Sequence, residues 1–84
     1  MPEAKLQVLV TSYERVFFDG MAAQVSVPGE QGTFEILPLH RPLMSRLLKG
    51  AVVIDGKHLA IRRGIVHVMR DVVTAVIETP ERPG

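Results

Sequence analysis

The chain has 84 residues, no cysteine, and 10 Lys and Arg against 9 Asp and Glu, for a formal net charge of +1. One domain fits that length, and the composition excludes disulfides, thiolate metal ligands and a cysteine nucleophile. The even charge and the four scattered aromatics (Tyr13, Phe17, Phe18 and Phe34) supply neither the basic stripe nor the stacking platform of a nucleic-acid binder, so no nucleic-acid partner is expected.

Period-two alternation and regular turn signals predict an all-β domain. Lys5 to Thr11 reads as the first strand, with Leu6, Val8 and Val10 on one face. Tyr13 to Arg15 interrupts it, and Val16-Phe17-Phe18 follows as a short strand. Asp19-Gly20 then reads as a hairpin turn, since glycine takes the positive φ such turns need. Met21 to Val27 is the next expected strand, with Ala23, Val25 and Val27 inward. Pro28-Gly29 suits the centre of a type II turn, Gly32 ends that loop, and Thr33 to Leu37 runs back with Phe34 and Ile36 buried.

Pro38 and Pro42 bracket Leu39-His40-Arg41, which predicts a rigid crossing and no ladder strand. Leu43 to Leu48 fits a helical turn or an irregular strand equally well. Ala51 to Ile54, Asp55-Gly56 and Lys57 to Arg62 form the clearest hairpin pattern in the chain. Gly64 is expected to separate this hairpin from Ile65 to Met69; that segment and Val72 to Glu78, turned by Arg70-Asp71, carry apolar residues on both faces, as central or partner-covered strands do. Residues 1–79 are expected to form the domain and residues 80–84, Pro-Glu-Arg-Pro-Gly, a flexible tail.

No constellation of catalytic residues emerges. Gly50 to Lys57 has one residue too many between its glycines for a phosphate loop, and His58 stands where a hydroxyl should bind magnesium. No nucleophile elbow surrounds Ser12, Ser26 or Ser45. Glu30 and Glu35 flank a hairpin, where carboxylates are ordinarily solvated. His40, His58 and His67 share no metal-ligand spacing. Neither catalysis nor a cofactor or metal is expected. No apolar run reaches the ~20 residues that span a bilayer, and Met1 to Lys5 lacks the order of a signal peptide; a cytoplasmic location is expected, with membrane contact only through a partner.

The segment from Val25 to Leu48 resembles the epsilon subunit of F-type ATP synthases, whose members carry a close variant of V-x-x-P-G-x-x-G-x-x-G-I-L-P-x-H-x-P-L-L. Pro28, Gly29, Gly32, Ile36, Leu37, Pro38, His40, Pro42 and Leu43 match it. Leu6, Val8, Val10, Thr11, Glu14, Phe17 and Gly20 resemble the family's opening strands, and Gly50, Gly64, Val66, Val68, Val72 and Thr74 its closing ones. Glu35, Leu39, Ser12 and Arg63 depart from the usual residues.

The resemblance implies a flattened antiparallel β-sandwich of short strands, a non-catalytic piece of the central stalk. Its implied partners are the gamma subunit and the loops of the membrane c-ring, on the cytoplasmic side of a bacterial inner membrane. Glu30, Gly32, His40 and Pro42 are the residues implied for the c-ring side, and the strands Ile65–Met69 and Val72–Ile77, apolar on both faces, are expected to contribute to the gamma side. Full-length members add a two-helix C-terminal domain that can inhibit hydrolysis and in some cases binds ATP. This chain ends near the expected end of the sandwich, so either a naturally short member or a truncated one is expected, doing neither by that route. The rival expectation is a free-standing β-sandwich interaction module unrelated to ATP synthases.

Overall fold

The computed structural model describes residues 5–80, and these form nine strands and no helix. They are β1 (Leu6–Thr11), β2 (Val16–Ala22), β3 (Val25–Gly29), β4 (Gly32–Ile36), β5 (Leu43–Leu47), β6 (Gly50–Ile54), β7 (Lys57–Ile61), β8 (Arg63–Met69) and β9 (Val72–Glu78). Of the expected tail only Pro80 is described, and it is exposed; the rest lies outside the described residues.

The strands make one curled sheet in the order β2-β1-β9-β8-β5-β3-β6-β7, with β4 on the other side of β3. The curl brings two halves together. β2, β1, β9, β8 and β5 form the first; β4, β3, β6 and β7 form the second. β1 lies parallel to β9 and antiparallel to β2, and a register shift at Val10/Thr11 bends its end. Alternation then decides which side chains are covered. Leu6, Val8 and Val10, Val66 and Val68, and Val73, Ala75 and Ile77 point from the first half into a shared core. Val25, Val27, Ile36, Val52, Ile54 and Ile61 meet them from the second. No polar or charged residue is buried among the described residues, so the inside is held by apolar packing alone.

Four sequence expectations need correction. Asp19-Gly20 is no turn: both lie within β2, paired with Leu9 and Val8 of β1, because an unbroken ladder outweighs a local turn preference. The chain bends at Ala23-Gln24 instead, where both backbone N–H groups donate to the Asp55 carboxylate at 3.0–3.2 Å. Ala23 is accordingly exposed, and Ala22 takes the inward place expected of it. Pro28 and Gly29 are not the tip of their hairpin but the last residues of β3, opposite Thr33 and Gly32, and the tip is Glu30-Gln31. Proline is tolerated there because β3 changes neighbours at that point. Val25 and Ser26 pair with β6, Gly29 pairs with Leu47 of β5, and the Pro28 carbonyl accepts the Leu48 N–H at 2.8 Å. Finally, Gly64 does not separate strands; it lies inside β8.

The open choice at Leu43 to Leu48 resolves as strand β5, paired with β8 from Leu43↔Val68 to Leu47↔Gly64. Two turns stand as the sequence predicts them. Asp55-Gly56 joins β6 to β7 and Arg70-Asp71 joins β8 to β9, all four residues in the left-handed region.

Gly64 is required by a close approach. A Cβ on it would lie 2.6 Å from the Val76 carbonyl oxygen and 2.8 Å from Ile77 Cγ2. Gly64→Ala therefore forces β8 and β9 apart and should cost about 1–3 kcal/mol of stability, read from the shift of a urea unfolding midpoint.

Candidate functional site

The loop between β4 and β5 is rigid by construction. The His40 N–H donates to the Leu37 carbonyl at 3.1 Å, closing a turn over Pro38 and Leu39. Leu39 sits at φ 70°, a left-handed conformation that costs a non-glycine residue about 1–3 kcal/mol. Its N–H donates to Asp71 Oδ1 at 2.7 Å, which ties the loop to the β8–β9 turn. His40 Nδ1 lies 2.7 Å from the Arg41 carbonyl, so that nitrogen carries the hydrogen.

Across from this loop stands the β3–β4 hairpin. Beside its tip, Gly32 has a φ of 114°, and its partner Gly29 is crowded by the Phe34 ring, which a Cβ would meet at 2.6 Å. Glu30 at the tip reaches Arg46 of β5, with Oε2 accepting from Nη2 at 2.9 Å. β4 and β5 thereby enclose an open cleft of about 480 Å³, lined by Glu30 to Phe34, His40, Leu43 and Ser45.

Of the four residues expected on the c-ring side, the structure brings Glu30, Gly32 and His40 to this cleft. Pro42 is exposed beside it and does not line it. Arg46, Phe34, Leu43 and Ser45 join the site without having been picked out from the sequence as site residues. No spacing signal marks Arg46, which pairs with a residue 16 positions earlier only because β3 and β5 meet. Glu35 faces away from the cleft on exposed β4, so it forms no carboxylate pair with Glu30 there.

A second feature is the outer face of the first half-sheet. Ile65 pairs with Val76, Met69 with Val72, and Met44 with His67, all on the side opposite the core. Met21 of β2 stands at the far side of the same face, opposite Gln7. Each of these apolar side chains is exposed. An apolar groove of about 340 Å³ continues the face at one end, between Tyr13, Arg46, Arg63, Ile65, Val76 and Glu78. On this face the apolar pairs Ile65–Val76 and Met69–Val72 lie on either side of the polar pair His67–Thr74. The Gly50–Lys57 stretch, by contrast, is β6 and the turn to β7, with no helix terminus to cradle phosphate. Among the described residues no group of three His, Asp or Glu could hold a metal ion, and no helix is long and apolar enough to cross a membrane.

Comparison with known proteins assigns this architecture. Residues 5–83 match the family described as ATP synthase, delta/epsilon chain, beta-sandwich domain. The chain belongs to that family. It is 42% identical to the ATP synthase epsilon chain of Bordetella petrii over 84 residues, covering 94% of this chain and 60% of that one. The epsilon chain of Xanthomonas oryzae pv. oryzae is 41% identical over 78 residues, covering 87% and 56%. The chain thus spans less than two thirds of the length of these epsilon-chain relatives. Among solved structures, a chain of the Euglena gracilis mitochondrial ATP synthase, solved as OSCP/F1/c-ring, superposes with a TM-score of 0.77 at 22% identity, over 94% of this chain and 52% of that one. A chain of the Tetrahymena thermophila central stalk and c-ring gives 0.69 at 13%, over 90% and 66%. At those identities the superpositions establish the shared fold.

The Glu30–Arg46 pair is largely solvated on both sides, with side chains 51% and 74% exposed. Arg46→Ala should therefore change the unfolding free energy by no more than about 1 kcal/mol in urea titrations. A larger loss would mean that the pair holds the cleft together.

Proposed function

We propose that the chain is the sandwich part of an epsilon subunit in the central stalk of an F-type ATP synthase, and that it binds the gamma subunit and the c-ring without catalysing a reaction itself. Membership of the delta/epsilon family carries this reading, and the two surfaces described above support it. The outer face built from Met44, Ile65, Met69, Val72 and Val76 is the gamma-facing side. The β3–β4 tip and the proline-bracketed loop, with Glu30, Gly32, His40 and Pro42, face the c-ring. The domain comprises residues 1–79, and the complex holds it at the cytoplasmic side of a bacterial inner membrane.

The mechanism is mechanical. Torque passes through a body only if the body deforms less than its contacts do, and close-packed apolar interiors resist deformation. Here every fully buried side chain is apolar, and the turns that carry the contact residues are closed by backbone and carboxylate hydrogen bonds. Glu30 and His40 offer polar groups at fixed positions to polar loops of the ring. The apolar face gives the gamma contact its area.

Two outcomes test the assignment. Glu30→Lys combined with His40→Ala should leave the unfolding midpoint nearly unchanged and reduce recovery of c-ring with the tagged chain in rotor pull-downs; undiminished recovery by the folded double variant rejects the ring-facing side. Ile65→Lys with Val76→Lys places two charges on the apolar face and should weaken gamma binding by tenfold or more, on the order of the cost of burying unpaired charge. A free-standing module predicts no gamma binding by the unaltered chain.

A further inference from the structure

Leu39 is the most exposed aliphatic side chain among the described residues, at 87%. It is also the one described non-glycine residue in the left-handed region outside a two-residue hairpin turn; Asp55, Arg70 and Asp71 all belong to such turns. Both properties work against the isolated fold. Glycine or asparagine would meet the same backbone at lower cost, and either would put no apolar surface in water.

The conformation is nonetheless held from several directions. Asp71 Oδ1 accepts the Leu39 N–H at 2.7 Å, and the following N–H, from His40, closes onto Leu37 at 3.1 Å. Prolines fix the backbone on both sides, at 38 and 42. Asp71 is itself anchored, since its carbonyl accepts the Gln7 N–H of β1 at 2.8 Å. A leucine locked into solvent at a rigid tip has no role inside this molecule. It has the form of an interface anchor, an apolar side chain presented in its bound position so that little ordering entropy remains to be lost on contact.

We propose that Leu39 is the apolar anchor by which the loop seats on the c-ring, and that Asp71 is the positioning residue that holds it there. The inference rests on the reading of this loop as ring-facing. Such an anchor calls for a partner surface with an apolar notch wide enough for one branched aliphatic side chain. His40, the next residue, lines the cleft that also holds Glu30, so polar groups lie on one side of the anchor.

The experiment measures binding of the full chain, alone and with gamma subunit, to detergent-purified c-rings, together with its thermal midpoint. Leu39→Asn keeps a side chain that tolerates the left-handed turn and removes the apolar group. It should weaken ring binding about tenfold while the midpoint holds or rises by a few degrees. Leu39→Met should bind within about twofold of the unaltered chain, since it keeps the apolar volume. Asp71→Gly suits its turn but lacks the acceptor, and should weaken ring binding severalfold; Asp71→Asn, which retains an acceptor oxygen, should restore it. Gamma binding should be unchanged in all four. Ring binding by Leu39→Asn equal to that of the unaltered chain overturns the anchor, and the same result for Asp71→Gly overturns the positioning role. If the unaltered chain fails to bind the ring, the ring-facing reading falls and this inference falls with it.

Discussion

The fold turns on β3, the strand that both half-sheets share. Within five residues it pairs with β4 along its whole length, with β6 at Val25 and Ser26, and with β5 at Gly29 alone. That single bridge is where the sheet closes over its core. The corner is tight because its neighbours are already in contact. Phe34 covers Gly29, a Cβ on Gly50 would lie 2.8 Å from Pro28 Cβ, and Leu47 is buried beside them. A side chain at Gly29 would have to displace the Phe34 ring and one at Gly50 would have to displace Pro28, so the corner tolerates no Cβ at either without a shift.

From this corner the site acquires its rigidity without any buried polar group. The polar interactions that position the contact residues lie at the surface and are short range. Asp55 holds the β2–β3 bend, Asp71 holds the β4–β5 loop, and Ser12 closes the β1–β2 loop by accepting the N–H groups of Glu14 and Arg15. Each uses side-chain oxygen to satisfy backbone donors that no ladder reaches, as connecting segments must. The division of labour suits a coupling piece: apolar packing supplies stiffness, and side-chain caps fix the direction of the loops.

The two proposed surfaces differ in chemistry as their partners require. The outer face of the first half-sheet exposes apolar side chains, among them the adaptable methionines at 21, 44 and 69, around the polar pair His67–Thr74. The end proposed to face the ring is small and turn-rich, and its loop exposes Leu39 and, to a lesser degree, Leu37. A sheet face offers area, whereas loops offer direction.

Much of this could be read along the chain. Strict alternation marked Leu6, Val8 and Val10, and the turn pairs Asp55-Gly56 and Arg70-Asp71 stood where the local preference put them, because tight turns depend on only a few adjacent residues. The proline-bracketed loop and its histidine were legible for the same reason. Where pairing across long separations competes with a local signal, the local signal loses: Asp19-Gly20 became strand under the pull of β1, Pro28-Gly29 did so between β4 and β5, and Leu43 to Leu47 became strand only because β8 was there to receive it. Arg46 beside Glu30, Asp71 beneath Leu39 and Asp55 at the β2–β3 bend join residues 16 to 32 positions apart, and only the closed sheet brings them into reach. Local order in the residues thus determined the strands' faces and the tightest turns, while the tertiary structure decided the corners and the site, since a contact between distant positions has no physical existence until the chain folds around it.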